Sequence, residues 1–94
     1  MDLELKGRAV LITGGSKGIG LACAHAFLDE GARVAIVSRD GVNLDTAAVN
    51  FPNVRTIMAD LTRAEDAARM AQEALRALGA IDILVNSAGA AKRY

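Results

Sequence analysis

The chain has 94 residues, room for one small domain, and 52% of them are hydrophobic while only 3% are aromatic. Eleven basic and eleven acidic side chains cancel, so no overall field favours nucleic acid or an acidic membrane, and scarce aromatics argue against base-stacking platforms. A lone cysteine, Cys23, excludes an internal disulfide framework and suits a reducing compartment.

The opening stretch MDLELKGR is charged at once and lacks an apolar signal segment. No run approaches the roughly 20 apolar residues that span a bilayer. These features lead to the expectation of a soluble, cytoplasmic protein with no membrane or nucleic-acid partner.

The first element is RAVLITG, Arg8 to Gly14, whose unbroken apolar run predicts a strand buried on both faces. Four glycines follow within seven residues, Gly14, Gly15, Gly18 and Gly20. Glycine is costly inside regular structure, so the cluster calls for a local reason. Beyond it, Ile19, Ala22, Cys23, Ala26 and Phe27 recur at helical spacing and predict a helix with that apolar face, closed by Gly31. RVAIVSR is a second continuous apolar strand, and a short helix is expected from about Gly41 to Val49. NVRTIMAD predicts a third strand, less apolar and so nearer an edge. Thr62 and Glu65 then have the spacing of a capping box. The helix that follows carries Ala64, Ala68, Ala71, Leu75 and Leu78 on one side and ends at Gly79. AIDILVNSAG is a fourth strand followed by small residues.

Strand and helix therefore alternate from end to end. That pattern predicts an α/β fold, a Rossmann-like parallel sheet flanked by helices with strand order 3-2-1-4, ending after the fourth strand. No repeat, low-complexity tract or linker divides the chain, so residues 1–94 read as a single, incomplete domain.

This fold gives the glycines a purpose. Where the first strand turns into the first helix, unpaired backbone N–H groups and partial positive charge attract phosphate, and glycine allows close approach. Gly20, one turn into the helix, lets helix and strand pack tightly. The spacing of Gly14, Gly18 and Gly20 is G-x-x-x-G-x-G rather than G-x-G-x-x-G, but its place between a buried strand and an amphipathic helix strengthens the signal. A phosphate-binding P-loop is disfavoured, because no G-K-[ST] ends the loop.

TGGSKGIG, Thr13 to Gly20, resembles the T-G-x-x-x-G-x-G cofactor motif of the short-chain dehydrogenase/reductase family. NSAG, Asn86 to Gly89, resembles the family's N-N-A-G, with Ser87 in place of the second Asn. ADLT, Ala59 to Thr62, is similar to its Asp-containing turn after the third strand. The resemblance implies a dinucleotide cleft that includes Gly14, Ser16, Lys17, Gly18, Ile19 and Gly20. It also implies that Asp60 accepts from the adenine amino group beside the Leu61 backbone, that Asn86 bridges cofactor and strands, and that Ala88 and Gly89 let the nicotinamide-side ribose approach. From the residues alone, Asp60 also reads as a turn residue and Asn86 as an Asx-type turn. The resemblance also implies a usually homo-oligomeric family, whose oligomer-forming helices are expected to lie outside these 94 residues.

Cofactor choice turns on the end of the second strand. An acid there binds the ribose 2′-OH of NAD, whereas a cation accommodates the 2′-phosphate of NADP. Here Ser38 stands where the family's acid falls and Arg39 follows, with Lys17 available as a second charge. NADP(H) is therefore expected over NAD(H), with the adjacent Asp40 as the complicating residue. The family's catalytic Ser, Tyr, Lys and helix Asn lie beyond the N-A-G segment, so no catalytic residue is expected within these 94, and no activity from them alone. Tyr94 lacks the Y-x-x-x-K context, His25 reads as a surface histidine, and Cys23, Met58 and Met70 read as packing residues; no metal set is apparent.

The leading expectation is the NADP(H)-binding, N-terminal portion of a reductase that transfers hydride between cofactor and a carbonyl or alcohol. The alternative is a non-catalytic nucleotide-binding or regulatory module on the same fold; a methyltransferase fits less well, since that chemistry wants an acid where Ser38 sits. IDILVN, lacking a fifth strand beside it, is expected to be an exposed hydrophobic edge.

Overall fold

The computed structural model describes residues 5–14 and 18–86. Along the chain run β1 (Ala9–Thr13), α1 (Gly18–Asp29), β2 (Arg33–Ser38), α2 (Gly41–Asn50), β3 (Arg55–Met58), α3 (Ala64–Leu78) and β4 (Ile83–Asn86). The strands form one parallel sheet in the order β3-β2-β1-β4. The expected α/β architecture and strand order are both present.

The two central strands are the most apolar, and side chains alternate between the faces. Val10 and Ile12 of β1 join Val34 and Ile36 of β2 beneath Ala24 of α1 and Leu44 and Ala47 of α2. On the other face, Ala9, Leu11, Ala35, Val37 and Ile57 meet Ala74 and Leu78 of α3. This division follows from crossover handedness. The chain steps outward from β1 to β3 with α1 and α2 on one face, and the return to β4 carries α3 across the other.

Gly31 ends α1 as expected, at φ 85°. Its N–H donates to Leu28 O at 3.0 Å and that of Ala32 to Phe27 O at 3.1 Å, the paired closure of a Schellman turn. Gly79 closes α3 at φ 78°, its N–H donating to Leu75 O.

Four local expectations are corrected, the simplest being Met58, read as a packing residue but exposed at the end of the edge strand β3. The buried face of α1 is Gly20 and Ala24, with Leu21, Cys23, Phe27 and Leu28 half-buried, while Ala22 and Ala26 are exposed. Burying leucine removes more apolar surface from water than burying alanine, and the helix turns accordingly. In α3 the sheet-facing line is Ala67, Met70, Ala74 and Leu78; Ala64, Ala68, Ala71 and Leu75 lie exposed. The helix is strongly amphipathic, and the line it buries includes Met70 and Leu78 while most of its charged residues face solvent. The capping box does not form: Arg63 is the N-cap, without a side-chain cap, and Thr62 turns to Asp60 instead.

β4 lies at the sheet edge, and the register that pairs it with Leu11 puts Leu84 on the α3 face. There Leu84 is 63% exposed, because α3 packs over β2 and β3. Among the described residues, no helix is long and apolar enough to cross a membrane.

Candidate functional site at the carboxyl ends of the strands

β1 lies between β2 and β4, so successive connections leave it in opposite directions. At such a reversal the loops after neighbouring strands part and open a crevice beyond their carboxyl ends. A cleft of about 420 Å³ lies there, bordered by Thr13, Gly14, Ser38, Arg39, Asp60, Leu61, Thr62 and Asn86. Six of the expected site residues, Gly14, Ser38, Arg39, Asp60, Leu61 and Asn86, thus meet around one opening.

Gly14 leaves β1 at φ 70°, a left-handed conformation that favours glycine, and its N–H donates to Val37 O. Gly18 opens α1 and Gly20 is buried within its first turn. No acidic residue occupies that turn, so the positive end of the helix dipole is uncompensated by its own side chains. Ser16, Lys17, Ala88, Gly89 and the side chain of Ile19 lie outside the described residues.

At the end of β2, Ser38 Oγ accepts from the Asp40 N–H at 3.1 Å, and Asp40 Oδ1 accepts from Val42 N–H at 3.0 Å. Asp40 therefore acts as the N-cap of α2, which aims its carboxylate at the helix start. Arg39, between them, is exposed on the cleft rim.

After β3, Asp60 Oδ1 accepts from both the N–H and the hydroxyl of Thr62, at 3.0 and 2.6 Å. Those two bonds, chiefly that from the hydroxyl, hold the Asp60 carboxyl below the usual carboxylate range, and Arg39 and Arg63 add smaller favourable fields. The carboxylate is ionised at neutral pH and keeps acceptor capacity for a donor in the cleft.

Asn86 is set beside β1 by bonds at both ends of β4. Thr13 Oγ1 donates to Asn86 Oδ1 at 3.2 Å, across the site. At the far end the Asp82 N–H donates to Ala9 O, and Asp82 Oδ2 accepts from Ala9 N–H, each at 2.8 Å. Sequence reasoning did not single out Asp82, and it met Thr13 only as the first letter of the glycine motif, with no role of its own. Thr13 carried a signal, as the one polar side chain closing an otherwise apolar strand, and among the described residues it is the polar one that is buried. His25, set aside in the sequence, is exposed and pairs with Asp29 at 3.5 Å on the α1 surface.

A larger hollow of about 690 Å³ lies at the opposite end of the strands, against Arg33, Phe51 and Arg55, and none of the expected site residues lines it.

Residues 8–94 match the short chain dehydrogenase family. The chain belongs to that family. Within it, the chain is 42% identical over 91 residues to an L-xylulose reductase of Bos taurus, an alignment covering 97% of this chain and 36% of that protein. An L-fucose dehydrogenase of Bos taurus is 34% identical over 89 residues, 95% of this chain and 33% of its own length. Among solved structures, a short chain dehydrogenase from Bacillus anthracis superposes with a TM-score of 0.81 at 37% identity, covering 88% of this chain and 35% of that one. A 3-ketoacyl-(acyl-carrier-protein) reductase from Brucella melitensis, complexed with NADH, gives a TM-score of 0.81 at 33% identity, over 85% of this chain and 33% of that one. This short chain dehydrogenase sequence thus spans about a third of the length of these relatives.

Proposed function

We propose that the cleft binds a nicotinamide dinucleotide, NADP(H) in preference to NAD(H), and that the chain is the cofactor-binding part of an oxidoreductase acting on a carbonyl or alcohol. The observation that carries this reading is the convergence of Gly14, Arg39, Asp60 and Asn86 on one crevice at the β1/β4 reversal.

The residues present suit such a ligand. Gly14 carries no side chain where a pyrophosphate would approach the start of α1, and the family motif would give Ser16, Lys17, Gly18 and Ile19 a part in the same contact. Arg39 is a forked cation at the ribose end, able to grip a 2′-phosphate with two hydrogen bonds. Asp40, the acid that would favour a free 2′-OH, is drawn into capping α2. Asp60 supplies an ionised acceptor for the adenine amino group, with Leu61 beside it, and Asn86 borders the same cleft; the family motif would give Ala88 and Gly89 the approach of the nicotinamide-side ribose. NADP(H) bound there supplies or takes up the hydride that interconverts carbonyl and alcohol. This chain's residues bind and orient it.

Titration with NADPH and NADH, on the wild type and on Arg39→Ala, tests the assignment. Removing the guanidinium should cost about 1.5–3 kcal/mol of NADPH binding, the range for a hydrogen bond to a charged group, and leave NADH affinity nearly unchanged. Equal wild-type affinity for both cofactors would reject the NADP preference, and no affinity for either would reject the dinucleotide site.

A further inference from the structure

Helix α3 reaches back over the connection that precedes it at two points. Asp66, in its first turn, accepts from the Asp60 N–H through Oδ2 at 2.9 Å. Arg69 donates through Nη2 to the Met58 carbonyl oxygen at 2.8 Å. Arg69 also stands 3.8 Å from Asp66 and 3.1 Å from Glu73, so a guanidinium already held on the Met58 carbonyl lies within ion-pair distance of the carboxylate that holds the turn.

A carboxylate at the third helical position commonly turns back to the N–H of its own N-cap. Here it passes over Arg63, the N-cap, and takes the amide of Asp60. Asp60 is thereby tied through its N–H to Asp66, through its carbonyl to the Arg63 N–H at 3.0 Å, and through Oδ1 to Thr62. The remaining carboxylate oxygen, Oδ2, is the acceptor left over on a residue that borders the cleft.

We propose that Asp66, braced by Arg69, is a positioning residue for base recognition: by holding the Asp60 amide it fixes the Asp60 carboxylate in the orientation that accepts adenine's amino group. This rests on the reading of the cleft as a dinucleotide site. A flexible turn would have to be ordered when ligand binds, whereas the tethered turn is already set, and that difference falls on affinity for the base.

The test compares NADPH with its hypoxanthine counterpart, in which oxygen replaces the amino group, by calorimetric titration. The wild type should prefer NADPH by about tenfold or more, the discrimination of a hydrogen bond to a charged acceptor. Asp66→Ala should lose most of that preference by binding NADPH more weakly, with little change toward the hypoxanthine form. Asp66→Asn, whose amide oxygen still accepts, should keep it. Equal weakening of both ligands in Asp66→Ala, as a merely structural role would give, overturns the proposal, as does full retention of the preference. Should Asp66→Ala fail to fold, hydrogen exchange of the Asp60 amide in the wild type decides instead: protection supports the tether, and exchange at the rate of an open amide refutes it. A wild type that binds both ligands equally tightly overturns the role of Asp66 and leaves the dinucleotide site standing. A wild type that binds neither ends both.

Discussion

Replacing Asp82 with alanine tests whether β4 is held to β1 by its polar anchor. Ala9 has no solvent-accessible surface, and its N–H donates to Asp82 Oδ2 at 2.8 Å. Removing the carboxylate leaves that N–H without its partner inside the sheet, a cost of about 1–3 kcal/mol. For a domain of this size, total stability is about 5–14 kcal/mol at the usual increment per residue, so the loss is a large share. A 2 kcal/mol loss corresponds to about 8–16 °C in Tm, taking the shift typical of small domains. Asp82→Asn retains an acceptor oxygen and should cost less than about 1 kcal/mol. Urea unfolding followed by far-UV circular dichroism measures both variants, with the slope m expected to stay constant. An Asp82→Ala stability within about 0.5 kcal/mol of the wild type would show that the anchor contributes little.

Burial separates two aliphatic residues of the same sheet. Ile36→Ala, fully buried between the layers, should lose about 2–5 kcal/mol, whereas Leu84→Ala, 63% exposed, should change stability by less than about 0.5 kcal/mol in the same urea assay. Gly31→Ala forces a Cβ onto a residue at φ 85°, within 3.3 Å of Lys6 Cγ, and should cost about 1–2 kcal/mol by thermal melting. Thr62→Val removes the hydroxyl that holds the Asp60 carboxyl down, so its NMR titration midpoint should rise toward the ordinary value. Because the folded midpoint is depressed, the stabilisation from Asp60 is present above the ordinary carboxylate pKa and fades as pH falls through the folded one. Thr62→Val should narrow that acid window, and an unmoved midpoint would contradict the assignment of cause.

Most of the fold was legible because its signals are redundant. The apolar runs of β1 and β2, the glycines at 31 and 79, and the alternation of elements each point to the same parallel sheet. The crevice was legible for a related reason: in an open parallel sheet the residues just past each strand converge, and Gly14, Ser38, Arg39, Asp60 and Asn86 do border one opening, although the roles expected of Asp60 and Asn86 came from the family motifs. What escaped was rotation and reach. α3 is strongly amphipathic, but alanines flank its apolar face on both sides, so spacing alone left open which of them turn inward; Asp66 and Arg69 meanwhile reach backbone groups of the preceding turn. Thr62 and Glu65 have capping-box spacing, yet the Thr62 hydroxyl finds the nearer carboxylate of Asp60. Asp82 pairs with a residue 73 positions away, a relation that no local pattern encodes.

That separation has a consequence for how the molecule is assembled. β1, β2 and β3 join through neighbouring stretches of chain, while β4 must find β1 after nearly everything between them has been laid down. Closing so long a loop is entropically slow to be rewarded. Arg39 and Asp60 thus stand past the ends of strands joined by local connections, and Asn86 on a strand that pairs with a partner distant in sequence. A ligand that touches both parts would favour the arrangement in which β4 is paired with β1, by mass action.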